Sequence, residues 1–418
     1  MSFINATWSD LELYHHLNSR LDALASPAKL WKHQHPQLNA SSMELLTYFR
    51  ESAYISLVTF DADNSRMRDA LITLALADDS APARALFYAL LAYSSFHRHR
   101  FNQQAMKLKI SALHFLSAAA KEEPQTYTQA AQQVAGSMLL GAFDIMLPVA
   151  SSGEWLWYVR GAMVMVEATR LNHKHELDSD IDSLFNWVYY HDALSRFPLH
   201  HWQHKSLAPA TNEASIHPQS NRYSLLQTYR PTLPSPNPTY AILGLLSEAC
   251  DTLLDPRDPN SSNLEYHQSL DVLERRIGNV HLGANSDPED RLAVDVWQAA
   301  TQIYLARASQ KPSDAPKDLE SLIDLAFDGP IRTCSCPHFF PLFILACEAG
   351  TDERRTAILE LIARTEDIPG VRSKMWLRKM IQSIWVHQDL HADGELLVNY
   401  VGAMNSVISM NDAVPSFV

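Results

Sequence analysis

Residues 338–355 read HFFPLFILACEAGTDERR, an apolar stretch that stops at a glycine and is followed at once by a charged one. The apolar residues predict a helix over residues 338–349, and Gly350 is placed where a left-handed residue would end it. Thr351 is predicted to cap a second helix over residues 352–365, whose first turn is acidic. Two helices separated by a single glycine indicate a helical architecture.

Helical spacing of apolar residues continues along the whole chain. Ser41 and Glu44 form a predicted capping box that opens a helix towards Phe60. Two amphipathic faces follow, the first formed by Leu86, Ala89, Leu90, Tyr93 and Phe96 and the second by Met106, Ile110, Leu113 and Leu116. Further helices are predicted over 127–147, 154–171, 181–197, 239–254, 262–277, 290–309, 318–327 and 371–388. Because hairpin signals are lacking and the 418 residues contain only 12 glycines, the sequence predicts an all-α array without a significant sheet.

Prolines divide the array into two lobes. Seven of the 22 prolines lie between residues 198 and 238, and each removes a backbone donor and constrains the residue before it. The helix that precedes this stretch is therefore expected to end near Pro198. The predicted organisation is a lead segment (1–40), a first helical lobe (41–200), a proline-rich loop (201–238) and a second helical lobe (239–418), together forming one domain.

Charge and composition limit the functions open to this chain. The formal net charge is −13, and no run of four basic residues occurs, so direct binding to nucleic acid is disfavoured. No apolar run approaches the roughly 20 residues that a membrane helix needs. The N-terminal residues lack a secretory signal pattern. The four cysteines (Cys250, Cys334, Cys336 and Cys347) show no disulfide framework, which favours a reducing compartment.

Three clusters of potential metal ligands or catalytic groups fail on spacing or context. Cys334, Cys336 and His338 lack a second ligand pair, so ordinary thiols in a loop are the preferred interpretation. His191, Asp192, His200, His201 and His204 could support metal or acid–base chemistry only if the helix continued past Pro198. Asp178, Asp180 and Asp182 begin like a calcium loop, but Ser183 and Tyr189 stand where glycine and glutamate are required. No cofactor or metal site is therefore predicted.

An aromatic-rich middle of the chain has two interpretations. Aromatic residues at helical spacing most often belong to the hydrophobic core. Alternatively, rings on neighbouring helices line an apolar pocket for a small ligand, because such pockets form between packed helices. The residues predicted to line that pocket are Trp155, Tyr158, Met163, Trp187, Tyr190 and His191.

Four segments resemble a known family in the family's own order. Residues 339–355 are similar to its late "F-P-L-F…C-E-A-x-T-[DE]-E-x-R" stretch, and residues 155–163 to its "W-x-x-H-x-x-G-A" helix, except that Tyr158 replaces the usual histidine. Residues 187–197 and 43–115 are similar to two further segments. This pattern resembles the regulatory domain of fungal-specific transcription factors, which normally follows a binuclear zinc–cysteine cluster.

The resemblance implies a non-enzymatic transcriptional regulator or regulator-like accessory protein, with a metabolic or secondary-metabolite pathway as the expected setting. A binuclear cluster needs six cysteines, and this sequence has four, none before residue 250. We therefore expect action through protein partners, either a homodimer or a DNA-binding transcription factor, together with a small apolar effector. Nuclear residence, with a cytoplasmic fraction as a further expectation, follows from the resemblance alone. The alternatives are a small-molecule-processing enzyme on the same scaffold, seated near His191 and His200, and an interaction domain unrelated to transcription.

Overall fold

The computed structural model describes residues 40–60, 64–121, 124, 126–147, 153–169, 179–202, 240–255, 258–280, 288–310, 319–328, 330–333, 336, 338–367, 375–390, 400–410 and 413–418. All regular secondary structure in these ranges is helical, which confirms the all-α prediction. Almost all of the lead segment and of the proline-rich loop lies outside the described residues. Within the described ranges, no helix has both the length and the apolar character that crossing a bilayer requires.

Contacts divide the chain into two compact units, which we describe separately. Unit one runs as Met1–Leu57, Asp63–Val149 and Gly153–Val188. Its described helices are α1 (Ala40–Glu51), α2 (Ser65–Leu76), α3 (Ala81–His99), α4 (Gln103–Ala119), α5 (Tyr127–Ile145), α6 (Trp155–Thr169) and the first part of α7 (Ser179–Trp202); a short 3₁₀ turn lies at Ala53–Ser56.

Helix α3 is the centre of unit one and packs against α4 and α5. The predicted apolar face from Leu86 to Phe96 is fully buried, as expected. Gly136 lets α5 approach closely, because a Cβ atom there would lie 3.4 Å from the backbone nitrogen of Leu86. Helix α5 in turn packs along α6.

The buried face of α4 differs from the predicted one. Met106, Ile110 and Leu113 are only partly buried, and the interior side of the helix is instead formed by Ala105, Lys109, Ala112, Leu116 and Ala119. Lys109 Nζ donates a hydrogen bond to Asp144 Oδ1 of α5 over 2.8 Å, and the two side chains are 5% and 6% exposed. Sequence periodicity missed this face because a lysine in its middle reads as a solvent position unless its carboxylate partner is known.

Unit two consists of Val58–Ala62, Ala150–Ser152 and Tyr189–Val418. Its described helices are the second part of α7, α8 (Ala241–Thr252), α9 (Leu264–Gly278), α10 (Pro288–Ala308), α11 (Glu320–Asp328), α12 (Pro330–Thr333), α13 (Phe339–Cys347), α14 (Asp352–Glu366), α15 (Met375–Leu390) and α16 (Tyr400–Ser409); a 3₁₀ turn lies at Pro259–Ser262. Helix α10 packs against α8, α9, α11 and α13. Every residue of α13 is buried, so this short apolar helix forms the core of the unit.

Helix α7 continues past Pro198 to Trp202, so the expectation that it ends near that proline is wrong. A proline inside a helix removes one backbone hydrogen bond and strains the preceding turn. Burial offsets this cost, because Leu199, His201 and Trp202 all lie in the interior of unit two. Tertiary packing thus keeps the residues after Pro198 helical, although local preference alone would end the helix there.

The Gly350 junction has a different geometry from the predicted one. Thr351 caps α14 as expected, with its hydroxyl accepting a hydrogen bond from the backbone nitrogen of Arg354. Gly350, however, does not have a positive φ, because the end of α13 is closed by short turn bonds from Glu348 and Ala349 to the carbonyls of Leu345 and Ala346. The left-handed C′ glycine is therefore a wrong prediction.

The predicted capping box at the start of α1 does not form either. Ser41 lies inside the first turn of a helix that begins at Ala40 and ends at Glu51. Glu44 Oε1 accepts a hydrogen bond from Arg98 of α3 over 2.6 Å. A tertiary partner therefore takes the carboxylate that the sequence pattern assigned to a local cap.

Candidate functional site

Unit two contains five aromatic side chains that meet in its interior, which we call the aromatic cage. Each comes from a different element, because helices α7, α8, α10 and α13 converge around one point. Tyr190 lies on α7, Tyr240 precedes α8, Trp297 lies in the middle of α10, and His338 precedes α13. Phe60 comes from the short segment 58–60. All five side chains are buried.

Phe60 is the ring that all the other cage members contact. Its centroid lies 5.1 Å from Tyr240, 5.7 Å from Trp297 and 6.2 Å from Tyr190. It also stacks on the imidazole of His338 at 5.6 Å with an interplanar angle of 28°. These separations lie in the range where aromatic pairs attract each other. A single phenylalanine thus fills the centre of an aromatic enclosure.

Some polar atoms of the cage have hydrogen-bond partners and one does not. The Tyr190 hydroxyl and His338 Nδ1 are 2.8 Å apart and share a hydrogen bond. Cys336 Sγ donates to the carbonyl oxygen of His338 over 3.6 Å. The indole Nε1 of Trp297 is buried and has no hydrogen-bond acceptor among the described residues. Since buried donors are normally paired, this N–H is the chemical feature that packing alone does not explain.

A second buried polar group lies farther along α7 and α10. His201 is fully buried; its Nδ1 lies 2.6 Å from Asn405 Oδ1 of α16, and its Nε2 lies 3.0 Å from the Tyr304 hydroxyl. Phe340 joins the two regions, because its ring stacks on Trp297 at 5.3 Å and meets Phe197 edge-on at 5.0 Å. We call His201, Tyr304 and Asn405 the histidine network.

Burial shifts the titration of groups around these two regions. Loss of hydration raises the pKa of the Cys250 thiol and of the Tyr304 hydroxyl well above their usual ranges. It likewise raises the pKa of Cys347 well above normal, and raises that of Tyr189 to about 12, with the charge of Asp192 adding to the effect. All four groups therefore stay neutral at physiological pH. A neutral thiol is a poor nucleophile, so neither cysteine is suited to covalent catalysis.

The six residues predicted to line a pocket divide between the units. Trp155, Tyr158, Met163 and Trp187 belong to unit one, whereas Tyr190 and His191 belong to unit two. All are buried except Tyr158, which is partly buried.

In unit one, two of these residues take part in helix packing. Ser137 donates a hydrogen bond to the Tyr158 carbonyl over 2.9 Å. A Cβ atom at Gly141 would lie 3.3 Å from Tyr158 Cβ and 3.6 Å from the Trp155 carbonyl. Trp155 and Tyr158 thus lie where α5 and α6 approach closely. In unit two, Tyr190 is a member of the aromatic cage, and His191 packs edge-on beside it at 5.5 Å.

The candidate metal ligands have other partners or lie outside the described residues. Nδ1 of His338 is engaged by Tyr190, whereas Cys334, His204 and Asp178 are not among the described residues. Asp192 lies 3.9 Å from Arg196, which also contacts Asp251 at 3.4 Å. Within the part of the chain that the structure describes, no three metal-ligating side chains come together.

Sequence reasoning missed Phe60 and the histidine network. Phe60 follows the end of its helix, and no periodic pattern links it to residues far along the chain. The sequence places His201 in a histidine-rich stretch after the predicted helix end near Pro198, which gives it no packing partner. The signal that could have identified it was its position four residues after Phe197, which places both on one face if the helix continues.

Comparisons with known proteins point in a single direction. The sequence profile described as "Fungal specific transcription factor domain" matches residues 44–411. The chain is also similar to the protein named transcription factor iacI from Pestalotiopsis fici, with 32% identity over 388 residues that cover 91% of this chain and 97% of that protein. No solved structure matches the chain.

Proposed function

Because this chain belongs to the fungal specific transcription factor domain family and is on that ground a transcriptional regulator, we propose that its helical units form an effector region that acts through protein partners and responds to a small apolar ligand. The single observation that carries the ligand part is the aromatic cage, with its buried and unpaired Trp297 N–H. Family membership supports the regulatory role. The role is regulatory and not catalytic.

Access to DNA would come from outside these residues. The 418 residues contain four cysteines and carry a net charge of −13, whereas a binuclear zinc cluster uses six cysteines and phosphate binding requires positive charge. We therefore propose that DNA contact comes from a partner transcription factor or from a segment outside these 418 residues. Nuclear residence follows as part of the same proposal.

Exposed apolar side chains in unit two support the proposal of partner contacts. On α15, Val386 and Leu390 are one helical turn apart and are 56% and 76% exposed. The neighbouring Asp389 accepts two hydrogen bonds from Arg355, at 2.7 and 2.9 Å. An apolar pair beside a fixed ion pair is a suitable contact for a partner protein, either a DNA-binding factor or a second copy of this chain.

A reporter assay tests the regulatory proposal. The chain is fused to a heterologous DNA-binding domain, and transcription from a promoter carrying that domain's sites is compared with the DNA-binding domain alone. We expect the fusion to change transcription, in either direction. Replacing both Val386 and Leu390 by serine should reduce the effect, whereas serine at the exposed Leu264 of α9 serves as the matched control.

DNA footprinting with the purified chain tests the proposal that DNA contact comes from outside these residues. We expect no specific protection by this chain alone, and recovery of specific occupancy when nuclear extract is added. Specific footprints by the purified chain together with an inactive reporter fusion would overturn the proposal.

A further inference from the structure

The aromatic cage holds a side chain in the place that a ligand would take. We propose that Phe60 is an exchangeable occupant of the cage, and that the effector is a flat aromatic molecule with a hydrogen-bond acceptor that replaces this ring. The inference rests on the proposed effector role and specifies its ligand and its site. It concerns unit two alone, to which segment 58–62 belongs.

The shape of the enclosure favours a planar ring. Tyr240, Trp297, Tyr190 and His338 surround Phe60 at centroid distances between 5.1 and 6.2 Å. Such distances suit a flat aromatic group in both stacked and edge-on contacts, and an aliphatic group would lose the ring-to-ring part of the attraction. The ligand that fits best therefore has the thickness and outline of the phenyl group already there.

The chemistry of the cage adds a second requirement. The Trp297 N–H has no acceptor among the described residues, and Phe60, whose ring centroid lies 5.7 Å from that of Trp297, has no polar atom that could serve as one. The hydroxyl of Tyr190 and the Nδ1 atom of His338 are already paired with each other. A ligand that placed an acceptor near the indole would satisfy the one donor that Phe60 cannot, and a buried donor gains substantially from being paired. This difference would favour the ligand over the phenyl ring.

The position of Phe60 in the chain makes exchange feasible. It lies in a short segment without regular secondary structure, after the 3₁₀ turn Ala53–Ser56, whereas the four surrounding residues lie in or next to helices. Removing a side chain from such a segment breaks fewer backbone hydrogen bonds than removing a residue from a helix. We therefore expect the four residues in or next to helices to keep their positions while the Phe60 side chain leaves the cage.

Truncation of Phe60 tests the exchange directly. Phe60→Ala removes the ring and should leave an apolar void, and voids of this kind can stay dry and bind benzene. We expect purified Phe60→Ala protein to bind benzene and pyridine with one-to-one stoichiometry by calorimetry, at least about tenfold more tightly than the wild type, in which the ring competes. Phe49→Ala is the matched control for an ordinary apolar void, because Phe49 is also buried but its described ring contact is with Tyr93 at 6.3 Å and not with four rings. Equal binding of the probes by both variants, or by neither, would overturn the proposal.

The acceptor requirement has its own test. In the Phe60→Ala background, Trp297→Phe removes the N–H and keeps an aromatic ring. The ratio of pyridine affinity to benzene affinity should then fall by roughly three- to tenfold, the effect of one net hydrogen bond. An unchanged ratio would refute the acceptor requirement. If Phe60→Ala does not fold, Phe60→Leu fills part of the void and should show the same order of probe affinities.

Amide hydrogen exchange reports the displacement in the wild-type chain. Saturating pyridine should speed exchange in the peptide containing residues 57–60 and slow it around Trp297. Slower exchange at both places would show binding without displacement and would count against the inference. These measurements do not involve transcription, so their failure is distinguishable from an inactive reporter fusion.

Discussion

The contact between α4 and α5 in unit one and the histidine network in unit two use polar groups in the interior in opposite ways. The first buries a full positive and a full negative charge, Lys109 and Asp144, 2.8 Å apart. The second buries neutral imidazole, hydroxyl and amide groups around His201. A buried charge depends on its partner far more than a neutral group does. The two units should therefore respond differently to substitution and to pH.

The largest effect is expected from breaking the buried ion pair. Lys109→Met leaves the Asp144 carboxylate buried without its counter-charge, and we expect a loss of about 3–5 kcal/mol in the free energy of unfolding. Chemical denaturation measures it. The double variant Lys109→Met/Asp144→Leu removes both charges and should be close to the wild type in stability. A single substitution that costs less than about 1 kcal/mol would contradict the comparison.

Alkaline pH should act mainly on unit two. The pKa values of the Cys250 and Cys347 thiols are raised above their ordinary value of 9.0. Between that value and the folded-state one, the unfolded chain releases protons that the folded chain retains, so stability is complete below pH 9 and falls as pH rises. We expect a loss of about 1 kcal/mol for each thiol by pH 10.

Denaturation curves at pH 8, 9 and 10 check this expectation. The measurement uses the Lys109→Met/Asp144→Leu background, which lacks the buried ion pair of unit one. In that background, Cys250→Ala/Cys347→Ala should lower the pH dependence between 9 and 10. A pH dependence that is the same with and without the thiols would refute the assignment.

Removal of one hydroxyl from the histidine network should cost less than removal of the lysine. Tyr304→Phe deprives His201 Nε2 of its partner, and an unpaired buried polar atom costs about 1–3 kcal/mol. Tyr88→Phe is the control, because its partly exposed hydroxyl should matter by no more than about 0.5 kcal/mol. Thermal and urea unfolding of the two variants give the comparison. A Tyr304→Phe protein as unstable as Lys109→Met would show that neutral and charged interiors are equally sensitive.

The smallest effect should be the same in both units. Thr126 and Thr351 cap α5 and α14 through their hydroxyls, which accept from Gln129 and Arg354 backbone nitrogens at 3.2 and 3.3 Å. Alanine at either position should cost about 1 kcal/mol. Thr356→Ala, inside α14, should be neutral or slightly stabilising, since alanine favours helix. Unequal costs for the two caps would mean that the units differ in their helix ends as well as in their interiors.

The positions of the helices could be predicted because helical periodicity is a local property. The predicted segments 127–147 and 352–365 correspond closely to α5 and α14, and Thr351 caps as expected. The predictions were wrong where packing against residues distant in sequence outweighs the local helix preference. Pro198 lies inside a helix because the residues after it are buried.

The candidate site was predictable only in part for the same reason. Tyr190 was identified from aromatic density along its own helix. The ring that fills the cage, Phe60, lies far away in sequence and carries no local signal. Lys109 shows the same limit for a charged residue. A lysine is predicted to be exposed unless its distant partner, here Asp144, is known. Long-range pairing, not helix formation, is what one sequence could not show.

During biosynthesis, Phe60 is made long before the residues that enclose it. Its neighbours in the cage extend to His338, which the ribosome adds roughly 280 residues later, or on the order of 15–55 s at ~5–20 residues per second. During that interval the phenyl ring has no native enclosure and is free to meet chaperones or other nascent chains. Helix α3, in contrast, finds its partners α4 and α5 within a few dozen residues. Slow codons anywhere between residues 60 and 338 would therefore prolong the exposure of this ring, whereas the contacts of α3 with α4 and α5 depend only on pauses before residue 145.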